Sequence, residues 1–265
     1  MVNQVDYYDK IWSSIGGYIP ENDRERITVI LKSIPDECNT VLDVGCGDGR
    51  ITNLINLPKE NITGLDLSAK ALEHVTTKTV CASADCLPFD DKSFDIILCN
   101  ETLEHLSYQG YPKTLSELSR VASKYILVSF PYNQDLRQEM VKCPYCGCQF
   151  VPARHVRSFN KRIIVTLFEN FSVLQQYPAG PWSKNYGNTL VTVAKMMRVT
   201  PKWAKESVCP QCNYNELETW HIPNNAENTK SSPFLIRLIG KTARTVFPGK
   251  KKPTYMIVLY KRKNS

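Results

Sequence analysis

The first pattern in the chain that could do chemistry is Val41 to Arg50, VLDVGCGDGR. Gly45, Gly47 and Gly49 alternate through a turn that follows an apolar, strand-like run, and an acid, Asp43, stands two residues before the first of them. Glycines without Cβ atoms let a ligand come close to the backbone. Where such a turn opens a helix, amide N–H groups and the positive end of the helix meet an anion. The spacing is Gly-x-Gly-x-Gly, not the Gly-x-Gly-x-x-Gly of dinucleotide sites. It leaves Asp43 to face a cationic group, so a ligand carrying both an amine and a carboxylate fits.

Three further strand ends present polar groups. Ile62 to Asp66, ITGLD, ends in an acid 23 residues after Asp43, near the offset at which an acid accepts from a ribose diol. Asp85, in ASADCLPF, falls in a loop after a third strand and is placed to accept from an exocyclic amine such as that of adenine. Phe94 to Cys99, FDIILC, ends at Asn100 and runs into ETLEHL. These ends meet only if the strands lie side by side in a parallel sheet, at whose edge open α/β folds bind ligands. The intervening pattern agrees. Helices are expected at Pro20 to Ile34, with an apolar stripe of Ile27, Ile30 and Leu31, around Ala69 to Val75, and at Tyr111 to Val121, with a helix-like turn at Thr102 to Leu106. A fifth strand follows at Tyr125 to Phe130. This alternation predicts a doubly wound, mostly parallel α/β sheet.

VLDVGCGDGR, TGLDLS, SADCLPFDDKSFDIILCNETLEHL and YILVSFP together resemble the successive motifs of class I S-adenosylmethionine-dependent methyltransferases, in particular the ubiquinone and menaquinone methyltransferase group. The resemblance covers roughly residues 38 to 131, in order. It implies a seven-stranded Rossmann-like sheet. It also implies that Gly45 and Gly47 pass close to the methionine moiety, with Asp43 ordering the loop and the amine. Asp66 holds the ribose hydroxyls, Asp85 the adenine amine, and the backbone around Asn100 the methionine end. Cys46, Leu67 and Cys86 belong to the same motifs and are counted with the cofactor-binding set.

After Pro131 the pattern changes. CPYCGC supplies Cys143, Cys146 and Cys148, and CPQC supplies Cys209 and Cys212. Two Cys-x-x-Cys pairs form a zinc pattern, each turn bringing two thiolates together and the two turns completing a tetrahedron. The expected ligands are Cys143, Cys146, Cys209 and Cys212. Four thiolates close the site, which makes it structural. Cys148, His155 and His221 are alternative ligands. The 62 residues between Cys146 and Cys209 mean that the metal clips together two insertions distant in sequence. Between the knuckles a helix is expected at about Ser158 to Asn170 and a sixth strand at Phe171 to Pro178. The last, antiparallel strand is expected at Thr254 to Lys263. The arrangement resembles a zinc-bearing bacterial subgroup of the same family.

The expected domain plan is an amino-terminal helical cap at 1–37 and a methyltransferase domain at 38–131, 158–180 and 254–265. Zinc-binding and helical insertions fill 132–157 and 181–253. Tyr7, Tyr8, Ile11 and Trp12 give the cap an amphipathic face. Apolar residues make up 42% of the chain, enough for a core, and the net charge of +7 is moderate. The amino terminus has no basic stretch leading into an apolar run, and no apolar run approaches the ~18 residues of a membrane span. A cytoplasmic protein is expected, in which ten cysteines serve metal binding or burial, not disulfides. Two basic amphipathic stretches, Thr189 to Val199 and Pro233 to Phe247, flank the second knuckle, and the latter could touch an anionic membrane surface.

The expected activity is O-methylation of a small molecule, such as a sugar or phosphate-bearing intermediate of surface-glycan or secondary-metabolite biosynthesis. His105 is the candidate general base, since its ordinary pKa of about 6.5 suits proton acceptance near neutrality. Glu101 and Glu104 flank it, and Tyr108 faces the acceptor. His155 and Arg157, in ARHVRSF, either reach a substrate anion or pack around the metal loop. Methylation of RNA or protein and non-catalytic donor binding are the alternatives. Against nucleic acid, no Asn-Pro-Pro-Tyr-type tetrapeptide follows the fourth strand, where Asn100 leads into ETLE. Acceptor identity and oligomeric state are not encoded in any motif.

Overall fold

The computed structural model describes residues 9, 21–185, 209–212, 214 and 250–264. The aromatic segment Tyr7 to Trp12, apart from Asp9, and the two basic helical stretches fall outside the described residues. So does His221.

The centre of the fold is a seven-stranded sheet in the order β3-β2-β1-β4-β5-β9-β8. Its strands are β1 (Val41–Val44), β2 (Ile62–Asp66), β3 (Lys78–Cys81), β4 (Phe94–Asn100), β5 (Ala122–Pro131), β8 (Phe171–Asn185) and β9 (Lys250–Arg262). The first five are mutually parallel, with Val41 paired to both Ile62 and Ile96. β9 runs antiparallel to β5, from Tyr125 opposite Lys261 to Pro131 opposite Tyr255. The expected doubly wound, mostly parallel Rossmann-like sheet is therefore what forms.

Alternation along each strand divides the apolar residues between two faces. Leu42, Ile97, Ile126, Val128 and Val258 belong to one core. Val41, Ile96, Leu98, Leu127 and Leu259 belong to the other. Strands covered on both faces need near-continuous apolar runs, which is why VLDV and FDIILC read as they do. Helix α1 (Glu21–Lys32) brings Ile30 to the second core. Helix α3 (Gly110–Val121) turns Thr114, Leu118 and Val121 inward at helical spacing, Leu118 and Val121 entering the first core. Between them, α2 (Ala69–Leu72) is capped by Ser68, whose hydroxyl accepts from the Ala71 amide.

Several elements differ from expectation. α2 stops at Leu72, short of Val75. The helix expected over Ser158 to Asn170 shrinks to five residues, α5 (Lys161–Val165). Asn160 accepts from the Arg162 and Ile163 amides and so fixes the helix start, while Phe159 is already bridged to Tyr132. β8 continues through Pro178 and Pro181, which a sheet edge tolerates because an outward-facing position needs no N–H donor.

The chain divides into two compact units. The larger contains Asn3–Gln134, Arg157–Pro181 and Pro253–Ser265, and holds the large sheet. The smaller takes in Asp135–Val156 and Trp182–Lys252. It contains α4 (Leu136–Glu139) and an antiparallel pair, β6 (Val141–Lys142) with β7 (Gln149–Phe150).

Tyr260 shows how the larger unit is tied together. Its ring is buried edge-on against Phe168 at 5.1 Å, and its hydroxyl donates to the Ile164 carbonyl at 2.8 Å. Tyr260→Phe keeps the ring and removes the hydrogen bond, so urea denaturation is expected to report a loss of about 1 kcal/mol.

Candidate functional site

The sheet order reverses between β1 and β4, the place where two neighbouring crossovers leave in opposite directions and a crevice opens beyond the strand ends. The loop after β1 enters it with Gly45, Gly47 and Gly49 at φ of 74°, 55° and 80°. Gly45 is doubly required, because a Cβ there would lie 2.3 Å from Thr102 Oγ1.

The loop's amides differ from expectation. Gly45 N and Cys46 N donate to the Leu65 carbonyl at 2.7 and 3.0 Å, and Gly47 N donates to Asp66 Oδ2 at 2.9 Å. The loop is thus closed onto β2 instead of presenting these amides to an anion. No α-helix follows it either. A single 3₁₀ turn, Thr52–Leu54, is all that fits before Pro58, which disfavours helical geometry at the residue preceding it. Asp43 is buried, accepts from Thr52 Oγ1 at 2.7 Å and does not line the cleft. Its bond to Thr52 anchors the loop's exit. Burial pushes its carboxyl up to about 7, against the lowering effect of Thr52 and with a further rise from Asp66.

The cleft has a volume of about 240 Å³. Of the expected cofactor set, Gly45, Asp66, Leu67 and Asp85 line it, whereas Cys46, Gly47, Cys86 and Asn100 do not. Asp66 is oriented by two amides, Ser68 N on Oδ1 and Gly47 N on Oδ2, both at 2.9 Å. Each oxygen retains acceptor capacity. Burial raises its carboxyl above the ordinary range despite those bonds. Ser68 also donates to Asp9, which brings a second acid near Asp66. Asp85 accepts from Ser83 Oγ at 2.5 Å, and Ser83 and Ala84 complete that wall. Asn100 is buried at the end of β4, and its carbonyl accepts from Thr102 Oγ1 at 3.0 Å. The thiol of Cys46 is raised well above its ordinary value by burial.

The opposite wall is built from the segment after β4. Glu101 lines the cleft with φ of 50°, an uncommon geometry for a side-chain-bearing residue and one that clusters at functional sites. Its amide donates to the Ser129 carbonyl at 2.9 Å, its Oε1 accepts from Ser129 Oγ at 3.2 Å, and Arg26 Nη1 lies 3.8 Å away. Burial raises its carboxyl, with Arg26 pulling it back. His105 also lines the cleft, its Nε2 3.9 Å from Oε1 of the buried Glu104. Burial and the neighbouring Glu101 raise Glu104 well above the carboxylate range. Tyr108 does not face an acceptor site: it is 82% exposed and absent from the cleft wall. Thr102 and Leu106 of ETLEHL line the cleft, together with Ser107, Gly110 and Thr114, which no motif singled out. Arg157 does not point at a substrate anion either. It donates to the carbonyls of Leu103 and Ser107.

In the smaller unit, Cys143, Cys146, Cys209 and Cys212 bring their sulfurs within 4.8 Å of one another. Cys143 and Cys212 are 3.7 Å apart, and Cys146 and Cys209 are 3.6 Å apart. A tetrahedron with metal–sulfur bonds of about 2.3 Å has edges of about 3.8 Å, so the donor set fits zinc. Gly147, at φ of 76°, closes the first knuckle with its amide on the Cys143 carbonyl, and Cys209 N donates to the Tyr214 carbonyl. Cys148 contributes its carbonyl to Cys143 N, while its sulfur stays outside the cluster. His155 is not part of the four-sulfur group, and burial pushes its imidazole down to about 4.

Residues 42–125, the stretch that builds both walls of the cleft, match the family described as Methyltransferase domain. The chain carries a class I S-adenosylmethionine-dependent methyltransferase domain. An uncharacterised protein of Methanocaldococcus jannaschii is 37% identical over 100 residues, covering 37% of this chain and 42% of that protein. The ubiquinone biosynthesis O-methyltransferase of Coxiella burnetii is 31% identical over 90 residues, covering 31% of this chain and 38% of that enzyme. The chain thus spans less than half the length of these curated relatives. The crystal structure of a SAM-dependent methyltransferase from Archaeoglobus fulgidus is similar with a TM-score of 0.52 and 17% identity, covering 97% of this chain and all of that one. That likeness is one of fold.

The burial of Asp43 makes the methyltransferase domain pH-sensitive. Its carboxyl titrates at about 7 when folded and at about 3.9 when unfolded. Between those values the folded state holds the proton that the unfolded chain has lost. Its contribution to stability is therefore complete at low pH and is lost as pH rises through the window. In Asp43→Asn, which keeps an acceptor for Thr52, the fall in stability between about pH 5 and pH 7 should be smaller than in wild type. Urea titrations at the two pH values measure it, and parallel losses would show Asp43 to be unshifted.

Proposed function

We propose that this protein transfers the methyl group of S-adenosylmethionine to a hydroxyl of a small molecule, of the sugar- or phosphate-bearing kind found in surface-glycan or secondary-metabolite biosynthesis, and does so in the cytoplasm. The observation that carries the reading is the meeting of Asp66 and Asp85 on one wall of the cleft with Glu101 and His105 on the other. The Coxiella relative is named as an O-methyltransferase, which supports oxygen as the methylated atom. Among the described residues, no helix is long and apolar enough to cross a membrane.

Bound S-adenosylmethionine supplies a sulfonium methyl that is already activated for in-line displacement. The chain's own work is then to bind, orient and exclude water. Asp66, held by two amides, accepts from the ribose hydroxyls with its remaining lone pairs. Asp85 accepts from the adenine amine. Gly45 lets the methionine portion lie against the backbone. His105 takes the acceptor's proton, oriented by Glu104, and Glu101 holds the acceptor with its carboxyl steadied by Ser129 and Arg26. The four cysteines hold a structural zinc that ties the first knuckle to the second.

Isothermal titration with S-adenosylmethionine and metal analysis of the same preparation test both parts. Wild type is expected to bind in the micromolar range and to contain about one zinc per chain. Asp66→Ala should abolish binding while retaining zinc. Cys146→Ser should lose the metal. Absence of binding by metal-replete wild type would overturn the reading.

A further inference from the structure

We propose that Arg157 is a positioning residue that holds the Leu103–Ser107 wall of the cleft, and His105 with it, in the geometry that donor binding requires. The inference rests on the methyl-transfer reading and assigns a device by which the same cleft keeps its shape. His105, Leu106 and Ser107 all line the cleft, yet the segment that carries them has little structure of its own. Its 3₁₀ turn spans only Leu103–His105 and has no side-chain cap, and Leu106 leaves it in an extended conformation. Within it, the His105 amide bonds to the Thr102 carbonyl at 3.1 Å.

Arg157 supplies from outside what the segment lacks. One arm of its guanidinium donates to the Leu103 carbonyl and the other to the Ser107 carbonyl, the latter at 3.3 Å. The two acceptors bracket His105. The guanidinium carbon lies 4.1 Å from the centre of the Tyr111 ring and 6.0 Å from that of Tyr108, so aromatic faces from the same stretch of chain fix its plane. Ser107 is the point where these contacts converge. Its carbonyl also accepts from Tyr111 N at 3.0 Å, and its hydroxyl accepts from Gly110 N at 2.9 Å. Through Ser107 the fork thus ties the wall to the first turn of α3, where Gly110 and Thr114 line the same cleft. A planar fork spans two carbonyls at once, which a lysine ammonium on a flexible stem does not. The exposure of Tyr108 and its absence from the cleft wall are explained by the same arrangement, since its ring faces the back of the clamp.

The test uses the full chain with S-adenosylmethionine and S-adenosylhomocysteine as calorimetric probes. The ring resonances of His105 are followed by NMR and assigned with His105→Gln. Failure of wild type to bind either probe would overturn the donor reading and this inference together. With wild type binding, Arg157→Ala that melts cooperatively should bind both probes about tenfold more weakly, the loss expected for charge-assisted bonds to two carbonyls. Its His105 resonances should move. Arg157→Lys, which keeps the cation over Tyr111 without the fork, should fall between the two. A folded Arg157→Ala with wild-type affinity and unmoved His105 resonances would overturn the inference while leaving the donor reading intact. Should Arg157→Ala fail to fold, Tyr111→Leu removes the stacking face alone. It should weaken binding about threefold and shift His105, and wild-type behaviour in that variant overturns the inference equally.

Discussion

The ends of β1 and β4 come so close together that only a glycine fits at position 45. A single added carbon would sit well inside the van der Waals contact distance of Thr102 Oγ1. That contact joins the two strands at which the sheet order reverses, so both walls of the cleft depend on it. Towards β2, Gly45 and Cys46 share the Leu65 carbonyl, and Gly47 fixes Asp66. Towards β4, Thr102 bonds back to Asn100 and so sets the departure of the segment carrying Glu101 and His105. The left-handed geometry of Glu101 follows from the same sharp exit. Backbone strain at one residue is sustained because the Ser129 carbonyl, the Ser129 hydroxyl and Arg26 all engage it.

Much of this was legible in the residues themselves. Buried parallel strands demand unbroken apolar runs, and VLDV, ITGLD and FDIILC advertise the strands. The four cysteines that converge are those whose pairwise spacing suits a knuckle, even across 62 intervening residues. Other features depend on where a backbone amide ends up, which residue type alone does not state. Asp43 reads like a ligand-facing acid, but Thr52 nine positions on turns it inward. The glycine-rich amides read like an anion cradle, but β2 runs close enough to take them. Ser107 and Gly110 form part of the wall because of how the chain turns after β4, and neither belongs to a periodic or spaced pattern. Tyr108 lies three residues from His105, far enough around the turn to face away.

The smaller unit follows a different physical logic. Among its described residues, Val141 and Phe150 pack with the cysteines, and Tyr145 stacks on Tyr214 near the knuckles. The four sulfurs stand at tetrahedral spacing, and a metal bound by them only in the ordered state would contribute its binding energy to folding.

The position of β9 in the sheet has a consequence for biosynthesis. It lies between β5 and β8, yet it follows every other described element in the chain. As the polypeptide emerges, β5 therefore waits with its edge from Tyr125 to Pro131 unpaired and almost wholly apolar. β8 meanwhile has no neighbour through which to join the sheet. Both are satisfied at one stroke when Thr254 to Lys261 arrives. Between the synthesis of β5 and that of β9, a ribosome-bound chain thus carries an open, sticky strand, the condition under which nascent chains draw on chaperones.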